Sequence, residues 1–163
     1  MTYFAVWLDG VILRIDLTDV LYQLYKGSPV NLPMSFEVYE DWLTIYPIIR
    51  DRLAILSPYD YETTKIILNK IGLNSDFIIF RKNKTKPSLE PYKALFEITK
   101  WNPLDVVTFA SSPLDLLSAR FYDSRIKVVC IKRFRDCSKY SPFLYSYSLT
   151  SALESLKKLG IKI

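Results

Sequence analysis

A doubly wound parallel α/β sheet is the fold class this sequence predicts, and three observations lead to it. Short apolar runs recur six times along the 163 residues. Most are continuous rather than alternating, the mark of strands covered on both faces. The segments between them carry helical spacing, and strand–helix–strand at this rhythm folds as right-handed crossovers.

The strands are expected at Tyr3–Leu8, Leu53–Ser57, Asp76–Phe80, Val106–Ala110, Lys127–Ile131 and Phe143–Tyr147. In the last of these, FLYSYS, apolar and polar residues alternate instead. After Ser57, DYETTKIILNKIGL sets Ile66, Ile67 and Ile71 at helical intervals and stops at Gly72. SLEPYKALFEITK starts from Ser88 as N-cap and keeps Tyr92, Leu95 and Phe96 on one face. SPLDLLSAR carries Pro113 in its first turn, where a missing N–H costs little. TSALESLKKLG closes the chain, with Thr150 or Ser148 as cap and Gly160 as terminator.

The stretch from Asp9 to Arg52 is longer than one crossover needs. It predicts a helix near Leu17–Tyr25 with Val20, Leu21 and Leu24 on a face, a turn region at Gly27–Pro33, and a second helix from about Ser35. Phe36, Tyr39, Trp42 and Tyr46 crowd that second part. The chain is therefore expected to be one domain over residues 1–163, with residues 15–48 as a small helical cap inserted after the first strand. Loops at the carboxyl ends of such strands build the binding crevice. The insertion reads either as a lid over that crevice or as helices that lengthen the core.

Composition narrows the function classes. Half the residues are apolar, yet no run approaches the ~20 residues of a membrane span, and the N-terminus lacks a signal-peptide design. A cytoplasmic protein without a membrane partner is the expectation. Histidine is absent, which removes His-containing zinc sites and Ser-His or Cys-His nucleophile pairs. Cys130, inside IKVVCI, reads as a small buried hydrophobe, and Cys137, among charged residues, as exposed; two cysteines are too few for a disulfide framework. The net charge of +5 is compatible with anionic ligands.

Four segments fall at strand ends: AVWLDGVIL, LAILSPYD, KTKPSLEPY and VVTFASSPLDLLSAR. In this order and spacing they resemble the four signature motifs of the haloacid dehalogenase-like superfamily, most of whose members are phosphatases. The resemblance covers about residues 3–133 and implies a Rossmann-like sheet with the first strand at its centre and a cap inserted after it. The family's first motif is Asp-x-Asp-Gly, whose first Asp attacks phosphorus and whose second moves a proton. Asp9 matches the acid/base position and Gly10 the turn, but Trp7 stands in the nucleophile's place. Ser57 matches the hydroxyl of the second motif, and Lys86 the lysine of the third, with Leu89 where the family usually has Pro. In the fourth motif Asp115 matches the last acid and Ser112 falls beside it, whereas Ser111 replaces a metal-binding Asp.

Two carboxylates that would hold the family's usual magnesium are thus missing together, and hard divalent cations hold poorly without anionic oxygens. The resemblance implies a divergent member with degenerate first and fourth motifs, lacking the usual magnesium-dependent phosphatase activity and binding a small phosphate or carboxylate at Ser57 and Lys86. No cofactor is expected. Two alternatives stay open. Asp9 could itself be a nucleophile, in a phosphatase or in an enzyme similar to the metal-independent 2-haloacid dehalogenases, whose fourth motif FASSPLD resembles. The basic clusters RKNKTK (81–86) and IKRFRDCSK (131–139), the second interleaved with Phe134, Tyr140 and Phe143, could instead serve a nucleic-acid or protein-binding module. A monomer or a homodimer joined through the aromatics at 36–46 is expected.

Each of these residues also has a plainer reading. Trp7 would be core filler, Asp9 an Asx-type turn former, Ser57 a cap for the SPYD loop, Lys86 one of several solvated cations, and Asp115 a first-turn acid favoured by the helix dipole.

Overall fold

The computed structural model describes residues 1–163. Six strands form one sheet: β1 (Tyr3–Trp7), β2 (Leu53–Leu56), β3 (Phe77–Ile79), β4 (Val106–Ala110), β5 (Lys127–Ile131) and β6 (Leu144–Ser146). Their spatial order is β3-β2-β1-β4-β5-β6, and every neighbouring pair is parallel. Chain order runs outward from β1 on one side, then returns to its other flank. That reversal places the carboxyl ends of β1 and β4 at a topological switch point, where ligand crevices form in such sheets. FLYSYS pairs as the edge strand β6, and an edge position tolerates its alternation.

Six helices flank the sheet: α1 (Thr18–Tyr25), α2 (Glu40–Ile49), α3 (Tyr61–Ile71), α4 (Glu90–Thr99), α5 (Pro113–Tyr122) and α6 (Leu149–Lys158). Asp60 caps α3 through Thr63 N, and Gly72 ends that helix at φ 69°. Ile66 lies exposed on α3; Ile67 and Leu68 make the buried contact instead. Helix α4 begins at Glu90, with Leu89 at its N-cap position; Ser88 sits one residue earlier, where its hydroxyl accepts from Glu90 N at 3.2 Å. Ser148, not Thr150, caps α6. Ser112 and Asp115 form a capping box at the start of α5.

The second inserted helix starts at Glu40 rather than near Ser35. Val38 pairs antiparallel with Leu13, and Tyr39 N donates to Ile12 O at 3.0 Å, so the chain is held extended up to the helix. Helix α2 buries Trp42, Ile45 and Ile49 in the main core and packs beside α6. Helix α1 buries only Leu21 and meets α5; Val20 and Leu24 are partly buried against the core.

Cys130 is buried, as its apolar run predicts, but Cys137 is buried too, and the two form a disulfide. The loop this bond closes carries Arg133 and Arg135. Arg133 donates to Asp41 Oδ1 at 2.9 Å and Val11 O at 3.0 Å and lies over the Tyr39 ring. Arg135 pairs with Asp16 at 2.8 Å and Asp19 at 2.9 Å. Two of the cations of the 131–139 cluster are therefore engaged inside the protein, holding the insertion to the end of β5.

Candidate functional site

β1 delivers Trp7 and Asp9 to the middle of the sheet edge. After Trp7 the chain turns tightly: Leu13 N donates to Leu8 O at 2.9 Å and Gly10 N to Leu13 O at 3.0 Å. Gly10 sits at φ 81°, in the left-handed region, and a Cβ there would strike Ser111 Oγ. The glycine thus serves both the turn and the close approach of the loop after β4.

Lys86 reaches this point from the loop after β3. Its side chain is only 1 % exposed, so it is not one of the solvated cations of its basic run. Nζ donates to Asp9 Oδ2 at 2.8 Å and to Asp115 Oδ1, and it stands 4.0 Å from the centre of the Trp7 ring. Asp9 makes no turn-forming hydrogen bond; its Oδ1 is buried without a partner. The other oxygen of Asp115, Oδ2, accepts from the backbone of Ser111 (3.0 Å) and Ser112 (3.2 Å). Asp115 is therefore both the first-turn acid of α5 and a lysine partner.

Two carboxylates share one ammonium in a buried site, and burial resists the surplus negative charge. Burial pushes the Asp115 carboxyl up to about 6 against the pull of Lys86, and the nearby Asp9 charge adds to the rise. Burial works to lower Lys86, but the two carboxylates overcome it and hold the ammonium above its ordinary value.

Trp7 is fully buried and fixed at its polar end. Its Nε1 donates to Tyr92 Oη at 3.0 Å, and Tyr92 Oη bonds Thr108 Oγ1 at 2.8 Å. Sequence reasoning placed Tyr92 on an apolar helix face and passed over Thr108. The available signal was a Tyr and a strand Thr at core positions, both of which need a polar partner when buried. Burial raises the Tyr92 hydroxyl well above its usual range.

Ser57 stands slightly apart. Its hydroxyl bonds Thr64 Oγ1 at 2.8 Å and accepts from Tyr59 N at 3.2 Å, so it does cap the loop after β2. No hydrogen bond joins it to Lys86, although Ser57 and Trp7 border one cleft. Ser112 Oγ meets Thr18 Oγ1 of α1 at 3.0 Å, and Thr18 in turn donates to Asp16 at 2.6 Å. That link between insertion and motif was not foreseen.

The side chains here do not fit the divalent ion usual in the family. Nowhere in the protein do three acidic, cysteine or histidine side chains converge as metal ligands. At this centre Trp7 and Ser111 supply no carboxylate, and Lys86 already occupies one oxygen each of Asp9 and Asp115.

No family model and no curated protein matches the sequence. Solved structures do match in shape. A HAD phosphatase from Thermococcus onnurineus is similar at TM-score 0.71 and 18 % identity, covering 99 % of each chain. A haloacid dehalogenase-like hydrolase from Streptococcus pneumoniae gives TM-score 0.70 and 14 % identity over 98 % of each chain. An L-2-haloacid dehalogenase gives 0.73 and 15 %, over 97 % of this chain and 99 % of its own. The chain has the haloacid dehalogenase-like fold.

Proposed function

We propose that this protein is a haloacid dehalogenase-like hydrolase fold whose strand-end centre lacks the family's usual magnesium-dependent phosphatase chemistry. One observation carries the reading: the Lys86 ammonium lies against the Trp7 ring while Asp9 and Asp115 close on it. An indole offers no lone pair for in-line attack on phosphorus. An ammonium has three donors; two go to carboxylates and the ring face covers part of the remainder. Drawing Lys86 away to hold a transferring phosphoryl group would leave two buried carboxylates unpaired, which is strongly unfavourable. The same reasoning disfavours a small phosphate or carboxylate seated on Lys86 with Ser57.

A phosphomonoester screen with and without magnesium tests the proposal, alongside calorimetric titration of magnesium into the metal-free protein. No turnover and no uptake are expected. Trp7→Asp combined with Ser111→Asp should gain magnesium binding; a folded double variant that gains none counts against the motif register. Wild-type turnover that vanishes in Asp9→Asn would sink the non-catalytic reading.

A second reading has one specific support. Asp9 Oδ1 is buried and accepts no hydrogen bond, which leaves an oxygen free for attack on carbon as in a metal-independent dehalogenase. Halide release from 2-haloacids, abolished in Asp9→Asn, is the result it requires.

A further inference from the structure

We infer that the Cys130–Cys137 disulfide is a redox-sensitive clasp: it holds the insertion after β1 against the end of β5, and its reduction by a dithiol loosens that insertion. The inference stands whether or not the strand-end centre turns over a substrate. The chain has two cysteines, and both enter this one bond. The bond spans a separation of 7 positions, so it removes little freedom from the unfolded chain compared with a bond that closes a long loop. Its effect is local, on the stretch that carries Arg133 and Arg135.

Both arginines are engaged with the insertion. Arg135 grips the start of α1, with Nε on Asp16 and Nη2 on Asp19. Arg133 grips the start of α2 through Asp41 Oδ1, with its guanidinium carbon 3.6 Å from the centre of the Tyr39 ring. Both helices of the insertion therefore hang on one small covalent loop. Asp41 Oδ2 also accepts from Leu149 N at 2.8 Å, which extends the hold to α6.

The hold continues inward. Asp16, gripped by Arg135, accepts from Thr18 Oγ1 at 2.6 Å through its other oxygen. Thr18 has thereby used its one proton, so at 3.0 Å it accepts from Ser112 Oγ. Ser112 N donates to Asp115 Oδ2 at 3.2 Å, and Asp115 Oδ1 accepts from Lys86. An unbroken line of hydrogen bonds thus joins the disulfide loop to the strand-end centre.

Both sulfurs are fully buried. A thiolate reaches Cys137 only when the loop swings out, and that movement carries Arg133 and Arg135 away from their partners. Clasp and disulfide therefore protect each other, and the coupling runs in both directions. In the exchange, one thiolate of the dithiol attacks Cys137 Sγ; the S–S bond breaks, and its electron pair leaves on Cys130, which takes up a proton. The second thiol of the reductant then displaces Cys137 as a thiol, and the reductant ends as a cyclic disulfide, oxidised by two electrons.

The test is hydrogen–deuterium exchange of the intact protein, oxidised and after dithiothreitol, with alkylation to count free thiols. Oxidised protein unfolded without reductant should take up no alkylating agent. Reduction should speed exchange in α1, α2 and the turn between Val11 and Asp16, and leave β3 and α4 unchanged. Cys137→Ala should reproduce the reduced pattern and make it insensitive to dithiothreitol. Arg135→Gln keeps both cysteines, so the test survives a Cys137→Ala chain that does not fold; it should be reduced about threefold faster or more, because losing its ion pairs raises local opening. Free thiols after treatment with oxidised glutathione, an exchange pattern unmoved by reduction, faster exchange spread equally over every element, or an Arg135→Gln protein reduced no faster than the wild type would each overturn the clasp.

Discussion

Lys86 Nζ lies 4.0 Å from the centre of the Trp7 ring and 2.8 Å from Asp9 Oδ2, so one buried cation is held by an aromatic face and a carboxylate at once. With Asp115 on its other side, Lys86 becomes the joint between the loops that follow β1 and β3 and the first turn of α5.

Removing that joint is expected to be costly. Lys86→Met leaves Asp9 and Asp115 facing each other without a counter-charge, and breaking a buried pair this way costs about 3–5 kcal/mol. A urea titration should show the loss, and adding Asp9→Asn and Asp115→Asn should recover much of it. A Lys86→Met midpoint equal to the wild type's would show that the lysine is not paired inside.

The acid titration should carry the mark of Asp115's burial beside a second carboxylate. Asp115 takes up its proton near pH 6 in the folded protein and near 3.8 when unfolded. The folded state thus binds more protons between those values, and this group's contribution to stability grows as pH falls from about 6 to below 4. Carbon-13 NMR of the carboxyl groups should place the transition near 6. It should fall in Asp9→Asn, because the Asp9 charge is one cause of the rise.

At alkaline pH the sign is the same. Lys86, Tyr59 and Tyr92 all lose their protons at higher pH in the folded protein than in the unfolded chain. Their stabilisation is complete below about pH 10 and declines above it, as the unfolded state releases protons that the folded state keeps. Each group adds a slope approaching ~1.4 kcal/mol per pH unit. Denaturant midpoints between pH 9 and 11.5 should fall steeply, and Tyr92→Phe should remove about one proton from the slope.

Gly10→Ala combines a left-handed backbone with a collision at Ser111 Oγ. The backbone alone costs about 1–2 kcal/mol. With Ser111→Ala in the background the collision disappears, since the next atoms, Ile15 O at 3.5 Å and Ser111 Cβ at 3.6 Å, lie at ordinary contact distance. Gly10→Ala should therefore lower Tm less in that background, and equal losses would mean the two loops do not touch.

The strands were legible because Val, Ile and Leu run continuously wherever a parallel strand is covered on both faces, as in LAIL and KVVCI. The gathering of Asp9, Lys86 and Asp115 was legible through motif order, which fixes the strand ends that carry them. What escaped was pairing over long separations. Nothing local in the sequence ties Trp7 to Tyr92, Asp41 to Arg133 or Cys130 to a cysteine among charged neighbours; tertiary packing decides each. The late start of α2 escaped for the same reason, because Val38 is held extended by Leu13, a residue in the turn after β1.

The exposed backbone amides at the start of a helix commonly attract a foreign anion. In α5 the donors before the helix, Ser111 N and Ser112 N, are satisfied by Asp115, a carboxylate carried by the same helix. The chain brings its own counter-ion to this corner, tethered by covalent bonds and so present at all times. An outside anion meets an already filled seat.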